Sequence, residues 1–387
     1  MNLPIRIMTR QFRLLDEIDR YSSLQINRSW HGIGSIELRI NRYLKGADKL
    51  LRGHIIFPHN KLNKAYQIKH REIELDENGK QTENWLIRAL PLKSWLGQRI
   101  TYPPNHTSND NKQADAETVM QHYVINNVIN PVDGNRRMED IILDVNQFRG
   151  DNVNWQSRYK NLAEEQAEIS LLSGFGWNLD IDTELEKFVF KVLEGRNLSA
   201  NQSILPPAIF SPEFNTLGQL SYVESELNYR NYAIVAGQGE GVDRRIITVG
   251  ESSGHDRYEL FVDARDVNEQ TEWEDGRDPV QRPVAGIEAD LINRGNQKLA
   301  EHQQEIYLEG KILSKSRLVY QKDYDLGDIV TLQNRDWGVT LDARITEVKE
   351  IYEPGGMQIE ATFGNSRPTL ISKIKQELAG MRNEIVR

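Results

Sequence analysis

The chain contains no cysteine among its 387 residues. That removes a disulfide scaffold, a thiolate zinc site and a cysteine nucleophile from consideration, and leaves packing or assembly as the source of stability. Long apolar runs are also missing. Nothing approaches the ~20 consecutive apolar residues of a membrane-spanning helix, and the opening MNLPIRIMTRQFRLLDEIDR carries charges every few positions with no signal-peptide core. A chain made in the cytoplasm, with no membrane insertion by itself, is expected. Positive charge is in deficit as well: 57 acidic residues against 48 Lys and Arg leave a net charge of −9. Basic pairs such as Arg136-Arg137 and Arg244-Arg245 are too short to reverse this, so no stable nucleic-acid binding is expected. Only eight histidines occur. Of these, His54 and His59 alone lie close together, and His59, just after a proline, reads as a solvated loop residue rather than a metal ligand.

What is present points to several small cores. The hydrophobic fraction is a low 38%, yet seven Trp, fourteen Tyr and ten Phe are spread along a chain longer than one core usually serves. From Pro4 to about Tyr102, short alternating segments (IRIM, RLLDEI, SSLQINRSW, SIELRI, HIIFP, KAYQIKHREIEL, NWLIRAL, RITYP) predict strands of period two, forming a small barrel or sandwich. Asp76-Glu77-Asn78-Gly79 supplies hairpin-turn chemistry, and Leu92 to Gly97 reads as one helical turn closed by glycine. The polar stretch PPNHTSNDNKQADAE reads as a linker at a domain boundary. Beyond it a helix over Ala116–Ile129 places Val119, Met120, Tyr123, Val124, Asn127 and Val128 on one face. A second over Asn161–Ser173 turns Leu162, Ile169 and Leu172 inward. GWNLDI and KFVFKVLE then return to strand pattern, making a mixed middle unit.

Past Leu205 the segments AIFS, QLSYVESEL, NYAIVAG, RRIITVG and RYELFVDAR predict strands. A helix from Val284 to about Glu305 follows, then a second barrel-like set (YLEGKIL, DIVTLQN, GVTLDARITEVKEIY, MQIEATF) and a closing helix from Thr369 to about Ile385. The division expected is 1–103, 104–204, 205–312 and 313–387.

Four patterns invite a catalytic or ligand-binding reading. Gly250-Glu251-Ser252-Ser253-Gly254 matches the hydrolase nucleophile elbow, which needs a helix after the serine; the alternating HDRYELFVD that follows favours a hairpin turn. His302-Gln303-Gln304-Glu305 resembles the start of an inverted zinc-protease motif, but Ile306 stands where the second histidine belongs. Gly237-Gln238-Gly239-Glu240-Gly241 lacks the Rossmann spacing and precedes a strand, so it too reads as a hairpin turn. Asp180 with Asp182, and Asp263 with Asp266, offer carboxylate pairs of the kind glycoside hydrolysis uses. Among 57 acidic residues such pairs arise by chance. Trp95, Trp155 and Trp177 are able to stack on sugars, although core packing is the commoner use. No cofactor and no metal site is expected.

The run from Ser316 to Leu378 contains Tyr324-Asp325-Leu326-Gly327-Asp328, Trp337-Gly338, Asp342-Ala343-Arg344-Ile345, Tyr352-Glu353-Pro354-Gly355-Gly356 and Thr362-Phe363-Gly364 in order. It closely resembles the C-terminal part of Gp37-like proteins of siphoviruses and prophages. VAGQGEGVDR before a long helix, and the N-terminal β unit leading into LIRALPLKSWLGQRITYP, look like the same family. The resemblance implies an α+β, mainly β fold, with two small tail-tube-like β-barrels flanking mixed α/β inserted domains. It also implies a non-enzymatic tail-tip or baseplate hub resembling that of contractile-tailed phages and the N-terminal part of tail-associated lysins. In that architecture a homotrimer forms a ring of six barrels that joins a sixfold tail tube and distal tail protein to threefold components below. Expected partners are the tape-measure protein C-terminus and tail fibre, spike or receptor-binding proteins, with roles in host cell attachment and genome ejection at the virion tail tip. Gly327, Asp328, Trp337, Gly338, Gly355, Gly356 and Gly364 are expected to serve turn geometry and packing. The chain stops at Arg387, just past the closing helix, so the enzymatic extension of tail-associated lysins is not expected. The competing readings are a cell-wall hydrolase using middle-domain carboxylates and a carbohydrate-binding tail adhesin.

Overall fold

The computed structural model describes residues 3–74, 82–271, 273, 277–313 and 316–364. The turn expected at 76–79 and the closing helix expected from Thr369 lie outside them. The fold is mainly β with few helices.

The first unit comprises β1 (Ile5–Met8), β2 (Leu14–Ile18), β3 (Ser23–Ser29), β4 (Ser35–Asn41), β5 (Ile55–Pro58), β6 (Tyr66–Glu72) and β7 (Asn84–Pro91). Alternation is strict where one face is buried: Leu24 and Ile26 in β3, and Ile36, Leu38 and Ile40 in β4, point into one core. The consecutive apolar run of β5 is buried on both faces, with Ile56 in that core while Ile55 and Phe57 enter a second one. Residues Leu92–Gln98 form a 3-10 turn that buries Trp95. RITYP is not a strand. Ile100 makes only an isolated bridge to Asn161, because Pro103 and Pro104 deny the segment the donors a ladder needs.

The middle region holds β8 (Asp110–Asp115), α1 (Ala116–Val124), β9 (Ile141–Leu143), β10 (Asn152–Ser157), α2 (Leu162–Ser173), β11 (Gly176–Asp182) and β12 (Lys187–Leu193). Asp115 caps α1 by accepting from the Thr118 backbone N–H, and Asn161 caps α2. The expected inward face of α1 is buried, but α-helical bonding stops at Val124 and Ile125–Ile129 continue as a π-turn. Leu172 is 39% exposed rather than inward; it lies at the margin of the buried stripe, in the last turn before Gly174 takes the left-handed cap.

The remaining elements are β13 (Asn197–Leu198), β14 (Ile209–Phe210), β15 (Leu217–Ser225), β16 (Tyr232–Ala236), β17 (Ile246–Val249), β18 (Glu259–Asp263), β19 (Gln270–Thr271), β20 (Val280–Gln281), α3 (Val284–Ala300), β21 (Glu305–Ile312), β22 (Ile329–Asn334), β23 (Val339–Glu353) and β24 (Gly356–Gly364). α3 ends before the expected Glu305, because β21 is claimed from both sides by β15 and β24, and such pairing overrides local helix preference. α3 instead packs on β16 and β17, where a side chain at Gly295 would meet Val235 and Val249 at 2.8 Å.

One sheet links the two ends of the chain. Its path runs β15-β21-β24-β23-β3-β4-β7-β6-β5-β1-β2, with β22 branching from β23. The joint is the antiparallel β23–β3 pairing, Glu347–Tyr352 against Leu24–Ser29.

Candidate functional site

The β23–β3 joint carries a buried charged network whose members come from opposite ends of the sequence. In β3 the inward face of Leu24 and Ile26 continues to Arg28; in β23 the inward face of Val348 continues to Glu350 and Tyr352. Arg28 lies opposite Val348 in register, which brings it diagonal to Glu350. Arg28 donates to Asp325 Oδ1 and to the Tyr320 hydroxyl, each at 2.6 Å. Glu350 accepts from Tyr320 and Tyr352 at 2.8 Å and pairs with Lys64, an ion pair whose two side chains are 3% and 0% exposed. Burial works against the Arg28 charge, but Tyr320, Asp325 and Glu350 outweigh it and hold the guanidinium above its ordinary value. Burial, reinforced by Arg28, brings the Lys64 ammonium down to about 8 against the pull of Glu350.

Beside this network sits Trp30, where three regions meet. Its ring lies between glycines: a Cβ at Gly176 would come within 2.6 Å of it, and one at Gly327 would overlap it outright. Its Nε1 donates to the Gly174 carbonyl at 3.0 Å, and the Arg344 guanidinium lies 5.5 Å from its centroid while donating to the Gly327 carbonyl. Behind it, Trp177 donates to the His31 carbonyl at 2.7 Å, and buried Lys93 donates to the carbonyls of Ser29 and Trp177 at 2.9 and 3.2 Å. The cavity between these groups is about 80 Å³, well below the ~300–1,000 Å³ of small-molecule sites. Its chemistry is that of a joint.

Burial, with Arg28 adding to it, brings the Lys93 ammonium from 10.5 down to about 7. The unfolded chain holds that proton up to about pH 10.5 whereas the folded chain releases it near 7, so the unfolded state binds more protons in this window and stability rises with pH. Denaturant unfolding at pH 7 and pH 9 is expected to show greater stability at pH 9, by up to about 1.4 kcal/mol per pH unit for each such lysine. Lys93→Met should remove most of the rise; an unchanged slope in that variant would show that Lys93 is charged when buried.

The residues expected to matter structurally are not gathered in one place. Gly327, with φ +92°, abuts Trp30, and Asp328, buried next to it, accepts from Arg196 Nη2 at 2.6 Å and from the Arg196 backbone N–H. Trp337, 49% exposed, and Gly338 lie in the turn between β22 and β23; Gly355 lies in the two-residue turn between β23 and β24, and Gly356 opens β24 opposite Glu353. Gly364, with φ +103°, ends β24 where a Cβ would meet the Ile306 carbonyl at 2.5 Å. Arg28, Trp30, Lys64, Tyr320 and Glu350 escaped the sequence reading. The available signal was a charged residue at the inward phase of two alternating strands.

The catalytic patterns find no common site. Gly250–Gly254 is followed by a 3-10 turn and β18, not a helix; nor is it a hairpin turn, because β18 pairs parallel to β16 while β17 pairs with the opposite edge of β16. Gly237–Gly241 does join the antiparallel β16 and β17. His302 lies past the end of α3, with Nδ1 at 3.2 Å from the Asn228 carbonyl. His54 Nδ1 faces the Lys49 carbonyl and His59 Nδ1 faces Glu17. Asp180 pairs with Lys191 at 3.4 Å, Asp182 caps the following turn, and Asp263 pairs with Arg244. Trp95, Trp155 and Trp177 are all core residues. Among the described residues no group of three His, Cys, Asp or Glu is placed to share a metal ion, and no helix is long and apolar enough to cross a membrane.

The architecture has solved counterparts. The 43 kDa tail protein of prophage MuSo2 from Shewanella oneidensis is similar with a TM-score of 0.56 at 10% identity, covering 95% of this chain and 99% of that one. The tail protein from Neisseria meningitidis MC58 is similar with a TM-score of 0.53 at 11% identity, covering 94% and 96%. Prophage tail protein gp18 from Listeria monocytogenes EGD-e gives 0.50 at 12% identity, covering 97% and 99%. At such identities the likeness is one of fold. No match was found among curated proteins. The family model described as Siphovirus ReqiPepy6 Gp37-like protein matches residues 4–365, which include both β ends and the joint between them, and the chain therefore belongs to that family.

Proposed function

We propose that the chain is a structural hub subunit of a phage or prophage tail, acting at the tail tip without enzymatic activity. The observation that carries this is the continuous sheet through β23 and β3 with its buried ion network. A subunit that supplies two β modules to a ring must hold them at a fixed mutual angle, and a shared ladder locked by buried pairs does that better than a linker. In this reading the chain divides at 103/104, 204/205 and 312/313, the two β ends act as tail-tube-like barrels, and three copies form a ring of six. That ring joins the sixfold tube, the distal tail protein and the tape-measure C-terminus to threefold fibre, spike or receptor-binding components, after assembly in the host cytoplasm. Gly327, Asp328, Trp337, Gly338, Gly355, Gly356 and Gly364 serve turn geometry and packing. Closed symmetric assembly would also add stability to a chain with modest cores.

Light scattering of the purified chain is expected to give a mass three times 44.7 kDa, and with the distal tail protein a heavier complex that holds three copies of the chain, with a threefold or pseudo-sixfold outline in negative stain. A monomer under both conditions would overturn the ring.

A further inference from the structure

Between the middle region and α3 runs a groove of about 770 Å³, within the ~300–1,000 Å³ range of ligand sites. Half of the described residues lining it, ten of twenty, are Asn or Gln. The arrangement follows from strand geometry. In the antiparallel β8–β10 ribbon, Gln113 lies opposite Asn154 and Asn111 opposite Gln156, so period two puts four carboxamides on one face while Val153 and Trp155 enter the core from the other. α3 forms the facing wall with Asp290, Asn293, Arg294 and Gln297, three to four residues apart and so on one side of the helix.

The arginines Arg282 and Arg294 are matched by Asp290 at 2.5 Å and Asp266 at 2.8 Å, and His122 Nε2 lies 2.6 Å from Asp110 Oδ1. Asn109, 3% exposed, lines the same groove; its Nδ2 donates to the Asp266 carbonyl at 2.7 Å, but its Oδ1 is a buried acceptor with no partner among the described residues. Such an orphan is satisfied by one further donor, which a water or a ligand hydroxyl can supply. At the rim Trp273 keeps 36% exposure, with the Arg277 guanidinium 4.4 Å from its ring centroid.

We propose that this groove binds a neutral, hydroxyl-rich oligosaccharide. Gln156 spends both ends of its carboxamide on Asp266 and Arg294, and Asn154 donates to Asp290, so Asn111 and Gln113 are the carboxamides of this face that offer a sugar diol a donor and an acceptor side by side, and the part-exposed indole gives an apolar sugar face something to stack on. Compensated charge argues against a nucleic-acid strand, which needs unpaired cations. A peptide would need apolar anchor pockets, and Pro104 and Trp273 are the only apolar residues among the described lining. The inference goes beyond the hub reading and holds for a monomer or a ring, so the mass measurement and the binding measurement fail independently.

The test is saturation-transfer NMR on the full chain with linear tetrasaccharides of glucose, galactose and N-acetylglucosamine. Transfer from at least one is expected, with affinity falling at least tenfold in an Asn111→Ala/Gln113→Ala double variant and in Trp273→Ala. Asn111 and Gln113 are exposed, so the double variant should melt like the parent chain, and Trp337→Ala should bind normally. Absence of transfer from all three sugars, or equal binding by the double variant, would overturn the proposal.

Discussion

Gly327→Ala is expected to destabilise the chain by on the order of 4 kcal/mol, a large part of the ~5–15 kcal/mol that holds a typical domain together. Two costs add. The φ of +92° is one that an L side chain rarely adopts, worth about 1–3 kcal/mol of strain. The new methyl would also overlap Trp30, and overpacking costs typically about 1–3 kcal/mol. Trp30 has little room to shift, since its ring packs so closely on Gly176 that even a Cβ added there would lie 2.6 Å from it, and the Gly174 carbonyl holds its Nε1. Gly338 is the control: its φ of +67° is also left-handed, but a Cβ there meets nothing within 4 Å, so Gly338→Ala should show the strain cost alone. Urea unfolding of both variants decides. A Gly327→Ala midpoint no lower than that of Gly338→Ala would mean that Trp30 does not fill the slot.

Glu350→Leu should cost about 3–5 kcal/mol, because it strips Lys64 of its partner in a site where both side chains are almost fully buried. Arg28 retains Asp325, whose side chain is 33% exposed, so the penalty falls mainly on Lys64. Replacing both members of the pair, Lys64→Met with Glu350→Leu, removes the stranded charge and is expected to recover most of the loss, as apolar substitution of a whole buried pair often does. Equal destabilisation in the single and double variants would show that Glu350 acts through the Tyr320 and Tyr352 hydroxyls rather than through the ion pair.

These two sites mark the limit of what local pattern conveys. The inward faces of β3, β4 and α1 were legible because alternation and helical periodicity are properties of a short window of chain. The glycine loop between β16 and β17 was legible for the same reason. By contrast, Arg28 and Glu350 stand 322 positions apart in the numbering; each alone looks like a misplaced charge in an otherwise apolar face. Their meaning appears only when β3 and β23 pair. The error at Gly250–Gly254 is of the same kind: two successive strands predict a hairpin, but β16 intervenes and the glycines turn a crossing loop instead.

Composition, charge balance and segment-level periodicity therefore determined by themselves that this is a mainly β chain with several small cores, no thiol chemistry and little helix, and the ordered C-terminal motifs pointed to its family. Tertiary structure alone decided which strands meet, that both ends share one sheet, that Trp30 fills a slot between glycines, and that four carboxamides of β8 and β10 face α3 across a groove. The reason is physical: the phase of a strand is set by its own residues, whereas the choice of partner depends on which edges and faces the rest of the chain leaves to be covered.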